Sequence, residues 1–157
     1  MKTFFLILMG WAGLLTAQAQ DKEWSQLLKD YLKLEDALVE SNAGNAKEAL
    51  LQMQKDVQDL QPVTAGKAAQ QKELKFMAAY FDIYSKTESL EEMRTGFGKI
   101  SGSMITLADQ KVFGSEKLYV LYCPMKKVTW LDDSDAVKNP FYGKAMLTCG
   151  NVKKTIN

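Results

Sequence analysis

Four stretches in succession carry apolar residues at spacings of three and four, with only a few residues between stretches, and this pattern constrains the chain more than any other feature. In the first, Trp24, Leu27, Leu28, Tyr31, Leu34 and Leu38 share one face of a helix expected over Trp24 to Glu40, and Ser41-Asn42-Ala43-Gly44 breaks it. The second, within Asn45 to Leu60, places Ala46, Leu50, Met53, Val57 and Leu60 in a strict alternation. Gln61-Pro62 is expected to end it, because proline lacks the N–H and clashes with the preceding turn. The third runs roughly from Lys67 to Ser85 with Leu74, Met77, Phe81 and Tyr84 on one side. Phe76, Tyr80 and Ile83 widen that surface, so it reads as the most buried of the four.

The fourth helix is expected to begin at Ser89 with Glu92 in capping-box spacing, and its stripe is Leu90, Met93, Phe97, Ile100, Met104 and Leu107. Gly96, Gly98 and Gly102 each weaken a helix interior by up to about 1 kcal/mol, so packing must hold it and the glycines are expected to admit close neighbours. Four amphipathic helices on short links predict a mainly α protein built as an up-down four-helix bundle.

After Gln110 the texture changes. Leu118-Tyr119-Val120-Leu121-Tyr122-Cys123 is short, β-branched and aromatic, and stops at Pro124, which marks a strand. Asn139-Pro140 and Gly143 mark a turn, and Met146 to Gly150 reads as a second short strand or a bend. Residues 21–110 are therefore assigned to the bundle. Residues 111–157 are assigned to a C-terminal appendix of one or two short β-strands, packed on it within the same domain.

Residues 1–20 are set apart. Met1-Lys2, the apolar run from Phe4 to Leu15 and the small-residue motif Ala17-Gln18-Ala19 have the order of a secretory signal peptide cleaved near Ala19/Gln20. The run is too short to span a bilayer and no second one follows, so the expected location is periplasmic or secreted, with no membrane span. Lys2 is the one charged residue before Asp21, so its removal takes the net charge from +1 to zero. The Lys126-Lys127 and Lys153-Lys154 pairs fall short of the basic surface a nucleic-acid binder uses, and no nucleic-acid partner is expected.

The chain has no histidine, two cysteines and eight methionines. Without an imidazole, Ser-His-Asp or Cys-His catalysis and His-ligated metals are excluded. With no phosphate loop and no cofactor fingerprint, an enzyme is not expected. The cysteines fall in two sulfur-dense clusters, Cys123-Pro124-Met125 and Met146-Leu147-Thr148-Cys149. Thiolate and thioether are soft ligands suited to Cu(I) or Ag(I), and Cys123, Met125, Met146 and Cys149 form a candidate site if the clusters meet. Tyr122, Trp130, Phe141 and Tyr142 stand ready to shield it from water.

A competing reading assigns Cys123 and Cys149 to a disulfide, as an even cysteine count in an oxidising compartment suggests. Such a bridge closes a loop of about 27 residues and contributes roughly 3.5 kcal/mol in the chain-entropy account. Oxidised cysteines cannot ligate as thiolates, so the two readings exclude each other.

Other groupings read as structural. Asp132, Asp133 and Asp135 lack the glycine and glutamate of a calcium loop and read as a solvated turn. Glu35-Asp36 and Glu91-Glu92 are adjacent on helices, where neighbours point apart, so neither makes an acid/base dyad. Met53, Met77, Met93 and Met104 lie on apolar helix faces and belong to the core.

Tyr122-Cys123-Pro124-Met125, Trp130-Leu131, Asn139-Pro140-Phe141-Tyr142-Gly143 and Met146-Leu147-Thr148-Cys149-Gly150 resemble the tail of a bacterial periplasmic domain family of unknown function. Its members stand alone or as the C-terminal appendage of Cus-type copper and silver efflux adaptors. Tyr31 to Val39 and Met93-Arg94-Thr95-Gly96-Phe97 resemble the family's first and fourth helices, so the likeness covers nearly the whole mature chain. It implies a periplasmic helical domain with a role in heavy-metal handling and a Cus-type adaptor or other envelope protein as partner. The chain departs from the family in the short Lys126-Lys127-Val128-Thr129 link before Trp130 and in having no histidine. A metal site here rests on sulfur alone.

Overall fold

A computed structural model describes the backbone of residues 5–157 and the side chains from Gln20 onward. The start of the expected signal peptide, Met1-Lys2 and Phe4, and the side chains of its apolar run and expected cleavage motif lie outside those residues. The first helix, α1 (Phe5–Glu40), carries helical backbone well ahead of its apolar stripe. It is followed by α2 (Ala43–Val63), α3 (Ala68–Tyr84) and α4 (Leu90–Asp109). Each helix packs on the next in sequence, and α4 closes back on α1, which makes the expected up-down bundle. Among the described residues no helix is long and apolar enough to cross a membrane.

The stripes meet as their spacing requires. Leu27, Tyr31, Leu34, Leu50, Met53, Leu74, Met77, Met93 and Phe97 are all fully buried. Two helix ends differ from expectation. Pro62 lies inside the last turn of α2, where its ring removes a single ladder bond. The helix stops at Val63, and the Thr64 N–H and hydroxyl both donate to the Leu60 carbonyl. At α4 the Ser89 hydroxyl accepts the Glu92 N–H, as a capping box requires. The return bond runs through a third residue: Thr87 accepts the Ser89 N–H at 3.0 Å and donates its hydroxyl to the Glu92 carboxylate.

The third helix overturns its expectation. Only Leu74, Met77 and Phe81 of α3 are buried, while Phe76 is 44% and Ile83 61% exposed. An outer helix of a bundle buries one stripe, and the flanking aromatics pack on each other instead, Phe76 tilted against Tyr80 at 4.7 Å and Tyr80 stacked on Tyr84 at 5.9 Å. Tyr84 also explains one glycine. A Cβ on Gly96 would sit 2.5 Å from its ring, so the bare backbone of α4 is what lets α3 end there. Gly98 is similarly faced by Phe141, whereas nothing lies close to Gly102.

The tail holds three strands rather than one or two. β1 (Leu118–Cys123) is the strand read from its sequence, and it lies between β2 (Val128–Asp132) and β3 (Asn151–Ile156), both antiparallel to it. Met146 to Gly150 is not a strand. A 3₁₀ turn at Gly143–Met146 leads through a turn into β3. The sheet packs on α4 through β2. Tyr31 stitches the layers together, its hydroxyl accepting the Leu131 N–H at 3.1 Å and bonding Ser101 at 2.8 Å.

Candidate functional site

The hairpin and the 3₁₀ turn bring the two cysteines together. Cys123 ends β1 and is fully buried, Cys149 follows the turn and is half-buried, and their sulfurs are 3.7 Å apart. Both are thiols at van der Waals contact. The junction is fixed by Asn139, itself fully buried. Its side-chain amide donates to the Cys149 carbonyl at 2.6 Å, its side-chain oxygen accepts the Phe141 N–H at 2.9 Å, and its backbone N–H donates to Leu147 at 2.7 Å. Gly150 is needed alongside, because a Cβ there would press the Tyr122 carbonyl at 3.0 Å and the Trp130 ring at 3.1 Å.

The two thiols are electrostatically unlike. Burial pushes the Cys123 thiol up, but hydrogen bonds to its sulfur from the Lys126 N–H and the Asn139 amide outweigh this and leave it below the ordinary thiol value. Burial and the neighbouring Cys123 sulfur push Cys149 above that value. The two sulfurs are thus shifted in opposite directions, Cys123 toward the thiolate and Cys149 toward the thiol, because two anions in contact repel.

The remaining residues of the candidate site divide. Met125 is 63% and Met146 38% exposed, close to the thiols in the chain and open to solvent. Trp130 and Phe141 are buried and meet edge to face at 5.9 Å, so they form the floor of this region. Tyr122 and Tyr142 are half-buried and lie under lysines, Lys153 at 5.3 Å and Lys126 at 5.4 Å. The expected solvated turn holds only in part: Asp132 ends β2 and is buried, and Asp133 to Asp135 follow as an irregular bend, with the Ser134 N–H donating to Asp132 at 2.9 Å. Among the described residues, no group of three or more Cys, Asp or Glu is placed to hold a metal ion.

Several polar residues were not legible as functional or structural anchors. Arg94 donates from Nε to the Pro140 carbonyl and from one Nη to the Leu38 carbonyl and the Ser41 hydroxyl, which ties the tail to the end of α1. Glu35 is buried where the tail covers α1. Desolvation and the adjacent Asp132 hold its carboxyl well above the usual range, and desolvation raises Asp132 too. Asp36 points out to solvent, as the adjacency argument requires. A second buried pair, Asp30 and Asp56, sits between α1 and α2. Burial and the neighbouring Asp30 raise Asp56 to about 6. Asp30 lies below the ordinary value, its burial outweighed by hydrogen bonds from Lys33 and Gln26.

The family described as a protein of unknown function (DUF3347) matches residues 27–115, more than half of the chain. The matched span covers the C-terminal part of α1 and all of α2, α3 and α4 and stops before β1, so both cysteines lie beyond it. No curated protein and no solved structure matches the chain.

Proposed function

The chain belongs to the DUF3347 family, and from that premise we propose that it is a binding module, not an enzyme, that takes up Cu(I) or Ag(I) in the periplasm in support of metal efflux. Cys123 and Cys149 supply the thiolates, and Met125 and Met146 supply thioethers. The aromatic residues Tyr122, Trp130, Phe141 and Tyr142 limit access of water.

The observation that carries the reading is the 3.7 Å approach of two unbridged sulfurs, one of them shifted toward the thiolate, with two exposed methionines close by in the chain. Bonds of about 2.3 Å, as thiolates make to zinc, would set two sulfurs about 4 Å apart at a trigonal centre and about 4.6 Å apart at a linear one. The observed spacing favours a trigonal or tetrahedral ion, and thioethers are the ligands at hand to complete it. The chain would pass such an ion to a Cus-type efflux adaptor or another envelope protein.

The reduced protein is expected to withdraw Cu(I) from a chromogenic chelator. Cys149→Ser should abolish this, and Met125→Leu with Met146→Leu should weaken it. Failure of the reduced wild type to compete overturns the reading. The same proximity favours a second one, in which the thiols are oxidised to a structural disulfide and the domain docks on an envelope protein without metal. Alkylation and intact mass of protein taken from cells decides between them, since two free thiols exclude the staple.

A further inference from the structure

A pocket of about 410 Å³ opens between α4 and the turn joining β1 to β2. That volume lies within the ordinary range for small-molecule sites. Its wall carries three cations, Arg94, Lys99 and Lys126, against one carboxylate, Glu91. Among the described residues none of the three cations is ion-paired, although the chain as a whole carries a net charge of only +1. Arg94 is held rigid by its three acceptors, which engage Nε and one Nη; among the described residues the other Nη meets no acceptor. Phe141 and Val128 supply an apolar wall, and the absence of a side chain at Gly98 keeps the space over Phe141 open.

Concentrated like charge beside an apolar wall is unfavourable until something neutralises the charge and covers the wall. A hydrated inorganic ion does only the first, and a neutral apolar molecule only the second. We infer that this pocket binds a small organic anion with a flat apolar body, such as an arenecarboxylate, its carboxylate set among Arg94, Lys99 and Lys126 and its ring against Phe141. The free Nη of Arg94 offers a donor in fixed position, and the two lysines close on the anion from α4 and from the β1–β2 turn.

The test is titration of the metal-free, reduced protein with benzoate, benzyl alcohol and inorganic phosphate, followed by amide chemical shifts. Benzoate is expected to move the Gly98, Lys126 and Phe141 signals and to bind about tenfold or more tightly than benzyl alcohol, the difference one charge-assisted hydrogen bond supplies. Lys99→Gln and Lys126→Gln should each weaken benzoate, and Glu91→Gln should tighten it. Benzyl alcohol binding as well as benzoate overturns the role of the cations, phosphate binding as well as benzoate overturns the role of the apolar wall, and no shift with benzoate overturns the site. Because metal is absent throughout, each of these outcomes is separate from the fate of the copper reading.

Discussion

The bundle and the tail use the same element in opposite ways. Met53, Met77, Met93 and Met104 are each 0% exposed in the bundle, whereas Met125 and Met146 stand open on the tail, close in the chain to two touching thiols. In the bundle a thioether is a flexible apolar body that fills gaps between helices. In the tail the same group is left accessible, where its lone pairs are free to act. Placement in the fold, and not residue type, separates sulfur as filler from sulfur as the ligand we propose.

The contrast can be broken most directly by trimming one methionine from each region. Met77→Ala should cost about 2–5 kcal/mol of stability through lost burial and the cavity left behind. Met125→Ala should stay within about 0.5 kcal/mol, as exposed substitutions do. Urea denaturation of the pair measures this, and equal costs would erase the distinction.

Gly143→Ala sharpens it at the seam. Gly143 has φ of +54°, and a Cβ there would meet the Val39 carbonyl and Arg94 at 2.9 Å, contacts that backbone cannot easily relieve. A cost of about 1–3 kcal/mol is expected. Near-UV signal from the tail's Trp130 should fall while far-UV helix content holds. Loss of helix content to the same degree would mean that bundle and tail are one cooperative unit.

Smallest is the effect of pH. Asp56, raised to about 6, binds more protons folded than unfolded, and Glu35 and Asp132 are shifted in the same direction. The Asp56 contribution is therefore full below the unfolded carboxylate value of about 4 and is lost as pH rises through about 6, and Glu35 and Asp132 add to the loss in the same direction. Asp30, shifted down, opposes it in part, gaining stability above its unfolded value. Urea midpoints should fall between about pH 4 and 7, and Asp56→Asn, inside the bundle, should flatten the fall more than Asp133→Asn in the tail turn.

The helices were legible because each carries an apolar stripe whose period is its own evidence. Their relative burial was not: periodicity finds a face but does not say whether its flanks are covered, and Phe76 and Ile83 of α3 stay exposed. β1 was legible from its composition. β3 was not, since Asn151-Val152-Lys153-Lys154-Thr155 is an exposed edge without alternation. The cysteines were legible as clusters along the chain, but their meeting depends on bonds made by Asn139. Arg94 stayed hidden because its acceptors are mostly backbone carbonyls, which leave no trace in residue type. The buried acids stayed hidden because each pair joins residues far apart in sequence: Glu35 meets Asp132, and Asp30 meets Asp56.

The bond from the Leu131 N–H to the Tyr31 hydroxyl spans 100 residues. Helices closed by local contacts form quickly, and pairings this remote form late. During synthesis the four helices are complete before any strand exists, so Tyr31, Glu35 and Arg94 must wait as solvated groups on a provisional bundle surface. The strands then arrive as the finishing layer that buries Tyr31 and Glu35 and half-covers Arg94. The sulfur pair can close only after that layer has settled, so its assembly reports that the rest of the chain has folded.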